Sequence, residues 1–175
     1  MADTVSNGPA NDRPRTVVAL LDRIARERRP LEHAARQMDD EAFADDARGW
    51  SVKDHLAHVA AWEQRLLGEI RGDHAVARFG LDEGATANTD TINAMIYTRH
   101  RHDLPDDVRS AFFASGEELR TTFASMDDAE LSRPVRPEDP KVDTLVDLIS
   151  WDTYRHYPVH AQAIIDHETW PKPNE

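Results

Sequence analysis

The chain has 175 residues, a net charge of −12 and no cysteine. This length fits one domain with a substantial core. The acidic charge argues against nucleic-acid and anionic-membrane partners. The lack of cysteine excludes disulfides, thiolate nucleophiles and cysteine-bound metals. Because the chain has neither an apolar run of membrane-spanning length nor the apolar core of a signal peptide, we expect a cytoplasmic protein.

The N-terminal part of the chain predicts a tail followed by an interrupted helix. Residues 1–12 are small and polar, which predicts a disordered tail before a single domain over residues 13–170, with a second short tail at residues 171–175. A first helix is expected to start near Pro14. It should be kinked or split at Pro30, because proline lacks the amide hydrogen that an inner helical turn needs.

The second long helix has a clear start, after a short turn of helix expected at residues 39–43. Ser51 is a candidate N-cap and Asp54 occupies the third helical position, which is the arrangement of a capping box. Trp50 precedes the cap at the position of a hydrophobic staple. An apolar stripe follows, and Gly72 marks the end of the helix.

The remaining segments complete an all-helical pattern. The polar residues 73–88 predict a long loop, Thr89 is a candidate cap for a short third helix, and Pro105 opens a fourth. Residues 133–140 hold three prolines and predict a loop, and a final helix is expected over residues 142–165. No segment alternates as a strand does. The predicted fold class is therefore an all-α four-helix bundle with a long crossover loop and extra short helices.

His156 and His160 are the most informative residues, because they lie four apart in the predicted final helix. That spacing places both rings on one side, within the apolar stripe, where polar groups need partners. His58 flanks the stripe of the second helix. If the two helices are neighbours, the three rings can bind one metal ion with an open fourth position, as in catalytic zinc sites. Nickel, iron and copper accept the same ligands, so the spacing does not choose the metal; the expected cofactor is a divalent metal ion, zinc or nickel.

Two carboxylates extend this candidate site. Asp152 precedes His156 by one turn and could be a fourth ligand or accept a ring N–H. Glu63 lies near the centre of the stripe of the second helix, where it is either a general base or an ion-pair partner, for example of Arg155. Asp152 and Glu63 are thus the candidate catalytic residues, although both could simply pair with arginines across the bundle.

The histidines also have structural interpretations. His58 alone, at the edge of a stripe, is typical of a hydrogen-bonded structural histidine, and an i, i+4 pair often arises by chance among nine histidines. His55 is expected to be half-exposed and to pack under Trp50. Pro158 lies between the paired histidines and should bend the helix, which either opens a coordination position or spoils the ligand geometry.

Residues 50–58, Trp-Ser-Val-Lys-Asp-His-Leu-Ala-His, resemble the start of the second helix in the DinB-like superfamily of four-helix bundles. There, a Trp-Ser pair precedes a metal-binding histidine by the same interval. His156 and His160 resemble the other two ligands of that histidine triad. Residues 90–94 and 152–157 are similar to the ClbS/DfsB branch of the superfamily.

The placement of the histidines and the resemblance leave three candidate functions. The first is a metal-binding enzyme of hydrolase or thiol-transferase type, in which His58, His156 and His160 bind the metal and water or a small thiol attacks an electrophilic small molecule in a detoxification role. The second is a metal-free protective hydrolase or sequestering protein of the ClbS/DfsB kind. The third is a non-catalytic dimeric module in which the buried histidines and carboxylates fix the packing. The resemblance also implies a homodimer.

Overall fold

The computed structural model describes residues 13–47, 49–73, 88–135, 142–167, 170 and 172. These residues are largely helical and contain no strand, although a single antiparallel bridge joins Pro134 to Thr144. The elements are α1 (Val17–Gln37), α2 (Asp40–Ala44), α3 (Val52–Arg71), α4 (Thr89–His100), α5 (Pro105–Ala124), a 3-10 helix at Glu130–Ser132, α6 (Leu145–Asp152) and α7 (Tyr157–Ile165).

Several predicted segments lie mostly or wholly outside the described residues. They are the tail at residues 1–12, the crossover loop at residues 73–88, the proline-rich loop at residues 133–140 and the tail at residues 171–175. None of the described helices is long and apolar enough to cross a membrane.

The helices form the predicted four-helix bundle, with α3 at its centre. Helix α3 contacts α1, α2, α4, α5, α6 and α7, while α1 also packs against α5 and α7. The four members of the bundle are α1, α3, α5 and the consecutive pair α6–α7, and α2 and α4 are the extra short helices. Fully buried side chains from α1, α3 and α5 form much of the core: Leu20, Leu31, Leu56, Leu66, Phe112 and Phe123.

Helix α3 begins and ends where the sequence predicts. The Ser51 hydroxyl accepts from the Asp54 amide at 3.1 Å, and the Asp54 carboxylate accepts from the Ser51 amide at 2.9 Å, which completes the capping box. Gly72 ends the helix in the left-handed conformation, with φ of 81°. These two ends fix the register of the histidines on α3.

Two expected helix boundaries are not found. Helix α1 runs through Pro30 without being split, and Arg28 and Leu31, on either side, are both buried in the bundle; the alternative of a kink at Pro30 stays a prediction. The cap of α4 is Asn88 rather than Thr89: its side-chain oxygen accepts from the Thr91 amide at 2.8 Å. Asparagine is the better acceptor for an orphan amide at this position.

The expected continuous final helix over residues 142–165 is also wrong. Helix α6 ends at Asp152, Thr153 leaves the helical region with φ of −129° and ψ of −108°, and α7 starts at Tyr157. The Thr153 hydroxyl donates to the Ile149 carbonyl at 2.6 Å. Pro158 then lies in the first turn of α7, where its missing amide hydrogen costs nothing.

A buried ion pair joins α1 to α3, and hydrogen bonds to its carboxylate add α5 and α7. The guanidinium of Arg28 on α1 donates to both oxygens of Glu63 on α3, at 2.9 and 3.1 Å, and the Tyr157 hydroxyl on α7 donates to the same carboxylate at 2.7 Å. Ser115 on α5 also donates to Glu63. Burial, and then the charge of Glu63, raise the pKa of Tyr157 well above its ordinary value, so its hydroxyl stays a donor. Burial opposes the charge of Arg28, but Glu63 raises the pKa of Arg28 overall.

We expect Glu63→Gln to destabilise the protein by about 3 kcal/mol, because it leaves the Arg28 cation buried without a counter-charge. Urea denaturation followed by circular dichroism measures this. Glu117→Gln is the matched control, since Glu117 and its partner Arg120 are both 62% exposed. Equal unfolding free energies for the two variants would contradict the structural role of the pair.

Candidate metal centre

Three histidines from two helices converge on one point. His58 lies on α3, His160 on α7, and His156 immediately before α7. The Nε2 atom of His156 lies 3.2 Å from Nε2 of His58 and 2.8 Å from Nε2 of His160. Ligand nitrogens around a tetrahedral ion with bonds of about 2.0–2.1 Å are about 3.3 Å apart. The three rings are therefore close enough to hold one metal ion.

The break between α6 and α7 does not separate the paired histidines. His156 has helical backbone angles, φ −81° and ψ −44°, so it forms one helical turn with His160. Pro158 needs no amide partner at the start of a helix, so it leaves this turn intact. The ring centroids of His156 and His160 are 4.5 Å apart.

The rings are held in the neutral form, which is the form that binds metal. His58 and His160 are buried and His156 is half-buried. Burial, with a smaller effect of the charge of Arg65, lowers the pKa of His156 to about 4. Burial also lowers the pKa values of His58 and His160 well below the ordinary value. Protons therefore compete weakly for these rings at neutral pH.

A fourth histidine belongs to the cluster. His55 is only 2% exposed, and its Nδ1 lies 2.9 Å from Nδ1 of His160. Burial, and then the neighbouring His156, lower the pKa of His55 to about 4. The expectation of a half-exposed ring is wrong, although the packing against Trp50 is found, at 5.4 Å between ring centroids. The spacing of His55 and His58 contained the signal, since residues three apart share a helix face.

Asp152 does not accept a hydrogen bond from the ring of His156. The Nδ1 atoms of His156 and His58 are buried without hydrogen-bond partners. The Asp152 carboxylate pairs instead with Arg65 at 2.8 Å. A catalytic role for Asp152 stays a prediction.

Glu63 was predicted to be either a general base or an ion-pair partner. It forms an ion pair, and its partner is Arg28 rather than Arg155. Each of its oxygens accepts two hydrogen bonds: one from Arg28 on each, with Tyr157 on Oε1 and Ser115 on Oε2. A carboxylate has about four acceptor positions. All are occupied, so these contacts leave no free position for a substrate proton, and a catalytic role stays a prediction without support from them.

Aromatic side chains enclose the cluster. The ring of Trp50 lies 5.3 Å from that of His58, Trp62 lies 6.3 Å from His156, and Trp170 lies 4.9 Å from both His55 and His160. Such walls exclude water and strengthen electrostatic interactions inside the site.

The position of Trp170 depends on a glycine. Gly49 has φ of +133°, a conformation that side chains rarely adopt, and an added Cβ would collide with the Trp170 backbone. The next residue, Trp50, donates its amide to the Trp170 carbonyl at 3.1 Å. This contact holds the C-terminal tryptophan against His160.

Comparisons with known proteins agree with this architecture. A family model of the DinB superfamily matches residues 23–160. No curated protein matches the chain. An uncharacterised protein from Escherichia coli UTI89 superposes with a TM-score of 0.71 at 16% identity, over 90% of this chain and 95% of that one.

Two further solved structures share the fold. The colibactin self-resistance protein ClbS, in complex with double-stranded DNA, gives a TM-score of 0.71 at 14% identity, over 87% of this chain and 95% of that one. A Streptococcus pneumoniae protein gives 0.69 at 11% identity, over 87% and 90%.

The expectation that nucleic acid is excluded as a partner is wrong. It came from the net charge of −12, but ClbS, which has the same fold, was solved bound to double-stranded DNA. Net charge averages over the whole surface, whereas binding depends on the charge of one face. The acidic composition therefore does not exclude a nucleic-acid partner.

We expect chelator-treated protein to lose stability as the pH falls from 6.5 to 5. The folded histidines have lowered pKa values, about 4 for His55 and His156, whereas the unfolded rings titrate near 6.5. The unfolded state therefore takes up protons that the folded state does not. The loss is about 1.5 kcal/mol for each ring that stays neutral.

The midpoint of urea denaturation, measured at several pH values in this range, reports the effect. Most carboxylates titrate below this range and contribute little to it. His156→Asn should flatten the dependence by removing one buried ring, whereas His33→Asn, on an exposed part of α1, should not. A midpoint that does not change with pH would show that the rings titrate normally.

Proposed function

Because the chain belongs to the DinB superfamily, we propose that His58, His156 and His160 bind one divalent metal ion, zinc or nickel, for chemistry on an electrophilic small molecule. The observation that supports this most directly is the convergence of the three Nε2 atoms. Nε2 of His156 lies 2.8 Å from Nε2 of His160 and 3.2 Å from Nε2 of His58. The reaction is of hydrolase or thiol-transferase type, with a role in detoxification.

The donor set fits a catalytic rather than a purely structural ion. Three neutral imidazoles leave a fourth coordination position for water or a thiol, and structural zinc sites are more often closed by a fourth protein ligand. When bound, the metal ion supplies Lewis-acid activation of water or a small thiol. Zinc and nickel both accept imidazole ligands.

The protein's own residues orient and protect this site. If Nε2 of His160 faces the metal, Nδ1 carries the proton and donates to Nδ1 of His55. Trp50, Trp62 and Trp170 restrict water around the rings. Arg65 pairs with Asp152 beside Trp62, at 2.8 Å, and keeps that carboxylate off the rings.

The similarity to ClbS supports a second candidate, a metal-free protective protein that sequesters or hydrolyses a reactive small molecule. The two candidates differ in metal dependence. Elemental analysis of untagged protein separates them, and a mobility-shift titration with double-stranded DNA tests whether the DNA partner of ClbS is shared.

Untagged protein dialysed against zinc or nickel should contain about one metal ion per chain, as three histidines with one open position predict. His156→Ala should lose this stoichiometric metal, because two histidines remain, whereas His33→Ala on α1 should retain it. Inductively coupled plasma mass spectrometry measures the metal content of each protein. An unchanged metal content in His156→Ala, or no uptake by the wild type, would refute the proposed site.

His55→Ala should weaken metal binding by about 10–100-fold without abolishing it, because it removes the acceptor that fixes the His160 ring. His55→Asn should restore part of the affinity, since its amide oxygen can accept the same N–H. Competition with a chromogenic chelator gives the dissociation constants. Equal affinities for wild type and His55→Ala would limit His55 to packing.

A further inference from the structure

A separate cavity of about 520 Å³ lies between α3, α4 and α5. None of the three converging histidines lines it. Small apolar side chains of α3 and α5 line it: Ala57, Ala60, Ala61, Val108, Ala111 and Ala114. Met95 and Ile96 of α4 form a wall. This volume is within the range of pockets that bind small molecules.

The alanines are the reason for the cavity. Facing positions on packed helices usually carry larger side chains that interdigitate, because protein interiors are close-packed. Here α3 and α5 line the space between them with alanines at several positions. The resulting space has an apolar lining, so an apolar molecule would gain from burial there.

The rim of the cavity is polar, and its charges are largely paired. Arg65 is flanked by two carboxylates, Glu69 at 3.1 Å and Asp152 at 2.8 Å. His100 pairs with Asp103 at 2.7 Å. A charged ligand would therefore lose its hydration without meeting a strong counter-charge from these pairs. The rim favours a neutral molecule.

One hydrogen-bond donor at the rim, on Arg65, has no acceptor. The Nε–H of Arg65 is buried and has no acceptor. Its two terminal nitrogens donate to Glu69 and Asp152, and Nε is the guanidinium nitrogen that has no acceptor. A buried donor without a partner costs about 1–3 kcal/mol, which an oxygen on a bound molecule would recover.

We propose that this cavity binds a neutral, largely apolar small molecule whose carbonyl oxygen accepts the Nε–H of Arg65. The Arg65 guanidinium lies 4.7 Å from the Trp62 ring, which in turn contacts His58 at 6.0 Å and His156 at 6.3 Å. The carbonyl end would thus lie one aromatic side chain from the histidines. That this molecule is the substrate rests on the proposed function; its binding does not.

Isothermal titration calorimetry of chelator-treated protein tests whether the cavity binds such a molecule. The probe is 2-nonanone, and nonanoate is the charged control ligand of similar size. The ketone should bind saturably, and nonanoate at least about tenfold more weakly because its charge must be desolvated. Arg65→Lys keeps the positive charge beside Asp152 but lacks Nε–H. It should weaken ketone binding by about fivefold.

Ala61→Leu should abolish saturable ketone binding by filling the cavity, and Ala114→Leu does so from α5 if the first variant folds poorly. Ala25→Leu, on an exposed part of α1, is the matched control and should bind as the wild type does. Absence of saturable binding to the wild type, or binding unaffected by both filling variants, would overturn the proposal. Nonanoate binding as tight as that of the ketone would overturn the neutral-ligand assignment. Since no metal is present, these results are independent of the metal proposal.

Discussion

Four imidazole rings buried among aromatic side chains must satisfy their polar nitrogens without bulk water, and this constraint organises the functional end of the molecule. The rings are neutral, because burial lowers their pKa values. Neutral rings cannot pair by charge, so each needs an acceptor, a donor or a metal ion. Nitrogens of His58, His156 and His160 face one another, and an ion at that point would satisfy all three together.

The convergence depends on how α3 and α7 are anchored. The capping box at Ser51 and Asp54 fixes where α3 begins, nearly two turns before His58. Tyr157 follows His156 directly and donates to Glu63, in the middle of α3. The Arg28–Glu63 ion pair thus helps to position the histidines, although the Glu63 carboxylate takes no part in the chemistry that we propose.

Local sequence rules account for the bundle and for much of the site. Helical periodicity and turn residues predicted the long helices, and a four-residue spacing identified His156 and His160 because that interval survives the start of a new helix at Tyr157. Contacts distant along the chain were not predictable. Arg28 is 35 residues from Glu63, and nothing in its local pattern marks it as the partner. His55 was predicted only to pack under Trp50, because its contact with His160, on another helix, leaves no signal in the local sequence.

In the function that we propose, the three Nε2 atoms bind one metal ion together. X-ray absorption spectroscopy of the untagged protein loaded with one equivalent of zinc tests it directly. We expect three imidazole nitrogens at about 2.0–2.1 Å and one further light ligand, and only two imidazoles in His58→Ala. A first shell of oxygen ligands alone, or a spectrum unchanged in His58→Ala, would contradict it.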